Sequence, residues 1–280
     1  MEQRLDRLQQ EQRDEAPYRR IDGDWSRGLL ILCDHAENRI PSPYGTLGLT
    51  PEDLSRHIAY DIGAAGVAEQ LAQALGVPAL LTRFSRLVID PNRGLDDPTL
   101  VMQLSDGRIV PGNAGIEPRE IEARINRYYV PYHHAIDVAI DTAIAAGKPP
   151  ALLAIHSFTQ AWKSVPRPWH AAVLWDKDPR LACPLLDGLR AVPGSIVGDN
   201  VPYSGELKGD TLYRHGTLRG LAHALVEIRQ DLIRSPEGQA EWAERLAEVM
   251  RKVIAGAELP PRLHAIEHYG ATGGPGQGSG

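Results

Sequence analysis

Cysteine is scarce in this 280-residue chain: Cys33 and Cys183 are the only two. Two cysteines cannot build the disulfide framework of a small secreted scaffold. Nor does any run approach the roughly 18 consecutive apolar residues of a membrane span. The opening Met1-Glu2-Gln3-Arg4-Leu5 lacks the apolar stretch of a signal peptide. A reducing, cytoplasmic setting is therefore expected. Positive charge is also short, 30 Lys and Arg against 36 Asp and Glu, for a net charge of -6. With no basic cluster to offset that balance, nucleic acid and anionic membranes are not expected as partners. No internal repeat is present.

What remains is an ordinary globular composition, 42% hydrophobic and 24% charged, enough for one large core. The expected organisation is a charged arm or peripheral helix over residues 1–20, a single domain over 21–270, and a disordered glycine-rich tail over 271–280. Within the domain, strand and helix signals alternate. Leu29 to Cys33 is a short apolar run that reads as a strand buried on both faces. Residues 62–75 carry Ile62, Val67, Leu71 and Leu75 on one stripe, closed by Gly76, and predict a helix. "VPALLTRF" and "SRLVID" predict strand on either side of Phe84-Ser85, and residues 91–116 a long loop. The spacing of Ile121, Ile125, Tyr128, Tyr132, Ile136, Ile140 and Ile144 predicts one long helix kinked at Pro131. "PPALLAIHSF", "HAAVLWD" and "HALVEIRQDLI" read as further strands, and Ser235-Pro236-Glu237 starts a helix over 235–254. This alternation implies an α/β fold, a three-layer αβα sandwich around a mostly parallel or mixed sheet.

Two of those strands end in the same way. "LLILCDHAENRIP" delivers His35 beyond an apolar run and "PPALLAIHSF" delivers His156. Parallel neighbours would place both imidazoles on one rim, where ligands of open α/β sheets bind. That is a geometry for zinc, which in catalytic sites takes three protein ligands. The third ligand is Asp61, at the start of the following helix, or Glu37. Asp61 is the preferred choice because a helix-opening residue is held by the first turn. Taken alone, each histidine reads as a hydrogen-bonded structural or loop residue sooner than as a ligand, and it is their matched contexts that bring the two readings level.

Glu227 interrupts an apolar strand, and a buried carboxylate is costly unless it is paired or functional. Alternation places Glu227 and Arg229 on one face, either as a buried ion pair or as a general base beside a substrate-binding arginine. "SRLVIDPNRG" supplies Arg86, Asp90, Asn92 and Arg93; paired guanidinium groups suit an acidic substrate, and Asp90 paired with an arginine would brace the loop. "NVPYSG" is by composition a turn bearing the hydroxyl of Tyr203.

Seven segments occurring in order, "DHAENRIP", "YDIGAAGVAEQLAQALG", "TRFSRLVIDPNR", "YVPYHHAI", "AIHSF", "NVPYSG" and "VEIRQDL", resemble the N-formylglutamate amidohydrolase family from about Leu29 to Leu232. That family is similar to zinc-dependent exopeptidases and zinc amidases of cell-wall peptides. The resemblance implies one zinc ion on His35, Asp61 and His156, with Glu227 as base. "DPNR", through Asn92 and Arg93, is similar to the carboxylate grip of zinc carboxypeptidases. Arg86 joins that grip, and Tyr203 or His134 would serve as oxyanion donor. "HAEN" differs from the small or glycine-rich turn usual in the family, which keeps Glu37 as the alternative ligand. The implied activity is hydrolysis of an N-acylated acidic amino acid, N-formyl-L-glutamate first, as a small-molecule substrate. The alternatives are a dipeptidase or other N-acyl-amino-acid amidase with the same metal site, and a metal-free ligand-binding protein on this fold.

Overall fold

The structure, a computed structural model, describes residues 16–255 and 259–272. Most of the arm and tail regions, residues 1–15 and 273–280, lie outside the described residues. The described end of the arm includes an edge strand, β1 (Tyr18–Ile21). Six further strands follow: β2 (Leu29–Cys33), β3 (Ala79–Thr82), β4 (Ala151–Phe158), β5 (Ala171–Leu174), β6 (Val197–Asp199) and β7 (His223–Arg229). They form one sheet in the order β1-β3-β2-β4-β7-β5-β6. Strands β3, β2, β4 and β7 are mutually parallel, β1 runs antiparallel at one edge, and β5 with β6 runs antiparallel to β7. The sheet is mixed, with four parallel strands at its centre.

Both faces are covered, which is why β2 and β4 are buried along their whole length. On one face, α1 (Ala64–Leu75), α4 (Pro179–Arg190) and α6 (Pro236–Ala255) pack over Ile31, Leu153, Val226 and Val173. On the other, α3 (Val130–Ala145), preceded by α2 (Pro118–Arg124), sets Tyr132, Ile136 and Ile140 against Leu30, Leu32, Leu152 and Ala154. The short α5 (Thr211–His215) adds Leu212 to that second face. The result is the expected three-layer αβα sandwich.

Three local expectations differ from the structure: the end of "HALVEIRQDLI", Gln230–Ile233, is a short helix rather than strand, and two larger differences follow. "SRLVID" is not a strand. Ser85 turns the chain, its hydroxyl donating to Ala59 O at 2.7 Å while Leu87 N donates back to it at 3.2 Å. Leu87, Val88 and Ile89 are buried instead in a third apolar cluster with Phe84, Leu100, Val110 and Tyr128. An apolar run records burial, and a loop-covering cluster satisfies it as well as a sheet does. The second difference lies in the long helix. Between α2 and α3, Ile125–Tyr129 forms a π-helical turn in which Val130 N donates to Ile125 O. The widened turn ends just before Pro131, which has no N–H to continue the ladder. The loop over 91–116 is braced by Asn113, whose amide donates to Leu87 O and Met102 O and accepts from Arg124 at 2.7 Å.

The chain entering α1 is the tightest constraint near the rim. Gly63 has φ +83°, and a Cβ there would lie 2.1 Å from Ile233 O. Left-handed backbone and close approach both require glycine. Gly63→Ala should cost about 1–3 kcal/mol and lower the melting temperature by several degrees. An unchanged thermal unfolding curve would show that this turn relaxes freely.

Candidate metal centre

Parallel pairing of β2, β4 and β7 brings the carboxyl ends of three strands to one rim. His35 leaves the end of β2, while His156 on β4 and Glu227 on β7 are direct cross-strand partners. Asp61 lies in the turn two residues ahead of Gly63. Its N–H donates to His35 O at 2.9 Å, and its own carbonyl accepts from Ala64 N at 3.1 Å. The helix entry thus ties Asp61 by its backbone to the strand end that carries His35.

The three side chains converge. Nδ1 of His156 lies 2.8 Å, and Nδ1 of His35 3.4 Å, from Asp61 Oδ2. One ligand atom from each of His35, Asp61 and His156 falls within 4.8 Å of the others, and all three residues are buried. The two rings meet edge to face with centroids 5.0 Å apart. The opposite nitrogens are held by further carboxylates: His35 Nε2 by Asp90 Oδ1 at 2.7 Å, and His156 Nε2 by Asp34 Oδ2 at 3.1 Å. Both nitrogens of each ring thus face a carboxylate, and Asp90 and Asp34 on the Nε2 side are outer partners of the kind that orient a metal-binding histidine, which would turn its Nδ1 lone pair to a cation. Asp34 is fixed in turn by the hydroxyls of Tyr132 and Thr211, which donate to Oδ1 at 2.8 and 2.9 Å.

Charge points the same way. Asp34, Asp61 and Asp90 are buried, and Arg86 is the arginine among them, donating to Asp90 Oδ2 at 2.6 Å and lying 3.6 Å from Asp61. With both histidines neutral, two negative charges are left over in a buried site. Burial alone would raise the Asp61 carboxyl, but the charge of His35 and the hydrogen bond from His156 outweigh it and hold that carboxyl far below the usual range. Burial would lower His156, yet its bonds to Asp34 and Asp61 raise it well above an ordinary imidazole. For Asp90, Arg86 and His35 overcome burial and keep the carboxylate ionised. Positive charge is therefore what this cluster favours, and a divalent cation between the two Nδ1 atoms and Asp61 meets that demand. Glu227 behaves in the opposite sense. Burial pushes its carboxyl up to about 7, and its buried Oε2 has no hydrogen-bond partner. A carboxyl poised near neutrality, with one oxygen uncommitted, is suited to proton transfer.

His35, Asp61, His156 and Glu227 line a cavity of about 500 Å³, shared by Arg86, Asn92, Arg93 and Tyr203. Asn92 accepts from Thr211 N at 3.0 Å through Oδ1, which leaves its NH₂ for the cavity. Arg93 donates to Asn92 O at 2.9 Å. Tyr203 OH accepts from Arg167 at 3.1 Å and keeps its own proton to donate.

Other sequence candidates fall elsewhere. His134 is exposed on α3, because Tyr132, His133 and Ile136 take the buried stripe. His133 is buried, but between His215 Nε2 and Pro91 O. Arg229 is the last residue of β7. Its guanidinium turns to Asp231 at 2.7 Å and to the carbonyls of Arg167, Pro168 and Trp169, so it neither pairs with Glu227 nor lines the cavity. Glu37 sits among Arg19, Arg39 and Arg83 at 3.8–3.9 Å, away from the His35 ring. Sequence reasoning missed Asp34 and the bond from Asp90 to His35. The "DH" pair and the acid of "VIDPNR" were visible signals, but neither names a partner. Asp210 was also missed: it caps α5 by accepting from Tyr213 N at 2.6 Å, and burial pushes its carboxyl up to about 7.

Removing either histidine should empty the site: His35→Ala and His156→Ala are expected to bind no zinc while Glu37→Gln binds it normally. Asp90→Asn, which withdraws the partner of His35, should weaken zinc affinity about 10- to 100-fold. Zinc content and competition titration with a chelating dye measure both effects. Wild-type zinc content in both histidine variants would refute the assignment.

Comparison with known proteins gives a family and two close folds. Residues 27–234 match the family described as N-formylglutamate amidohydrolase. A gene product of Agrobacterium tumefaciens of known structure is 35% identical over 86% of this chain and 96% of its own, with a TM-score of 0.80. The N-formylglutamate amidohydrolase of Ralstonia eutropha is 24% identical over 85% of this chain and 97% of its own, with a TM-score of 0.64, a likeness of fold. No curated protein matches the sequence.

Proposed function

The chain belongs to the N-formylglutamate amidohydrolase family and is an amidohydrolase, and from that premise we propose that it removes the acyl group of an N-acylated amino acid with one zinc ion held by His35, Asp61 and His156. The observation that carries this reading is the convergence of those three ligands beside a glutamate with an uncommitted oxygen. N-formyl-L-glutamate is the leading substrate. Zinc in this position supplies a Lewis acid that polarises the scissile carbonyl and lowers the pKa of water toward ~7.

The chain's own residues supply the rest. Glu227 Oε2 removes a proton from the attacking water and returns it to the departing amine nitrogen, which its carboxyl near neutrality permits. Tyr203 keeps its hydroxyl proton and directs it as a hydrogen bond to the carbonyl oxygen as negative charge develops there. Asn92, through its NH₂, and Arg93, through its guanidinium, hold the substrate α-carboxylate. Arg86, bonded to Asp90 by both Nε and Nη2, holds the partner of His35 in place and adds positive charge to the cavity wall.

Two variants separate chemistry from binding. Glu227→Gln keeps the shape and removes the base, so zinc should stay bound while turnover falls about 100- to 10,000-fold. Arg93→Ala should chiefly raise KM. Release of free amino acid from N-formyl and N-acetyl substrates by the zinc-loaded protein is the assay. Near-normal turnover by Glu227→Gln would require another base.

A further inference from the structure

The two carbonyls that flank Asn92 are held from one side. Tyr129, in the π-helical turn, donates its hydroxyl to Arg93 O at 2.9 Å, and His133, in the first turn of α3, meets Pro91 O through Nε2 at 3.0 Å. Their rings lie against each other with centroids 4.2 Å apart. The Thr211 hydroxyl also lies 3.5 Å from Pro91 O, but its one proton goes to Asp34 Oδ1 at 2.9 Å, so the bond to Pro91 falls to His133. Asn92 and Arg93, which hold the substrate α-carboxylate in the proposed reaction, thus rest on Tyr129 and His133.

His133 does not act alone. Its Nδ1 lies 2.8 Å from Nε2 of His215, the last residue of α5, and His215 Nδ1 lies 3.1 Å from Asp137 Oδ1. Both imidazoles are fully buried, whereas Asp137 is partly open to solvent. The chain runs from Pro91 O to the Asp137 carboxylate, and both of its ends can only accept. Three hydrogen bonds between two acceptors require three protons on the four ring nitrogens. Two neutral imidazoles carry two. The geometry is therefore complete only when the pair holds one extra proton.

The surroundings decide which ring carries it. Asp137 and Asp141 share one bonded arginine, Arg219, which lies 3.2 Å from Asp137, so one negative charge is left for His215. Burial would raise the Asp137 carboxyl, but the bond and charge of His215 lower it. Burial, with the charge of His215 beside it, pushes His133 down to about 3 and keeps it neutral; Arg214 of α5 adds to that effect and Asp34 opposes it. On the far side, His223 packs against Gly216 and is bonded to Leu221 O and Thr217.

When the extra proton passes to water, two protons remain for three bonds. A bare His215 Nδ1 would set its lone pair against the charged Asp137, so that bond is kept. His215 Nε2 then accepts from His133 Nδ1–H, and the lone pair of His133 Nε2 is left facing Pro91 O. One proton lost from the chain turns the bond that supports Asn92 into a repulsion.

We propose that Asp137, His215 and His133 are positioning residues that form a one-proton relay, holding the Asn92–Arg93 carboxylate grip while His215 is an imidazolium and loosening it as rising pH removes that proton. The effect on substrate rests on the proposed role of Asn92 and Arg93; the proton arrangement does not.

Two readouts test the relay on the full chain supplied with zinc. Heteronuclear magnetic resonance of labelled histidine side chains reports which ring nitrogens carry protons. At the acidic end of a titration His215 should be protonated on both nitrogens and His133 on Nε2; as His215 loses its proton, that of His133 should move to Nδ1. Steady-state kinetics with N-formyl-L-glutamate report the grip. Through the same transition KM should rise about 3- to 10-fold, as expected for one lost hydrogen bond. Asp137→Asn is the discriminating variant. Its amide donates to His215 Nδ1, so neutral His215 donates through Nε2 to His133, and His133 keeps its proton on Pro91: three bonds with no extra proton. KM in this variant should match the acidic wild-type value and stay level as pH rises, while kcat keeps the profile set by Glu227. His133→Phe should show a raised KM at every pH, and His133→Gln, which returns a donor, should lower it again. A His133 that stays protonated on Nε2 after His215 has titrated would overturn the relay, as would an Asp137→Asn variant whose KM climbs like that of wild type. If no N-formyl amino acid is hydrolysed, the proposed reaction fails, and the tautomer readings decide the relay on their own.

Discussion

The structure depends on an imbalance of buried charge. Asp34, Asp61 and Asp90 lie together beneath the rim, with Arg86 as their arginine partner. Carboxylates do not stay buried and ionised without compensation, and two imidazoles supply only part of it. The surroundings are built to hold this cluster. Tyr132 reaches from α3 and Thr211 from α5 to Asp34, and the first turn after Asp90 returns Asn92 N–H to it at 2.9 Å. Helices on the same side of the sheet are thereby anchored to the polar centre as well as to the apolar core.

Around that cluster the sheet acts as a ruler. Parallel pairing of β4 with β7 puts His156 directly opposite Glu227, and the pairing of β2 with β4 carries His35 to the same rim. A shift of one residue in either register would turn His156 or Glu227 to the other face, because side chains alternate with a period of two. The complete burial of β2 and β4 on both faces makes such a shift costly. The apolar residues of the strands thus place His35, His156 and Glu227, and Asp90 and Asp34 fix the orientation of the two imidazoles.

The two covered faces differ in a way that matters for chemistry. Beneath α1, α4 and α6 the core is closed, with Ile31, Leu153, Val226 and Val173 fully buried. Beneath α5 the cover is one short helix, and there Leu174, Leu212 and Leu225 line the cavity that Glu227 also lines. The same stretch, Asp210 to Leu212, caps that helix, holds Asn92 and Asp34, and lines the cavity. The cavity wall and the support for Asp34 and Asn92 come from one turn of chain. No helix among the described residues is long and apolar enough to cross a membrane.

Periodicity and local punctuation are properties of neighbouring residues, and they reveal what neighbours decide. The α/β alternation, the helix closed by Gly76, the two strand-end histidines and the anomalous Glu227 could all be read before any fold was known. Burial without partners is ambiguous in the same sequence. "SRLVID" is as apolar as a strand yet packs as a loop, since an apolar run does not say which surface will cover it. Side-chain destinations were also beyond local reading: His134 points to solvent, and Arg229, on the strand of Glu227, turns to Asp231. The bond from His156 to Asp34 joins residues 122 positions apart, and the meeting of Asp61 with the two imidazoles depends on where the turn before α1 meets the end of β2. Strand order, register and the packing of helices on each face decide such meetings, because they alone bring distant residues within hydrogen-bonding distance.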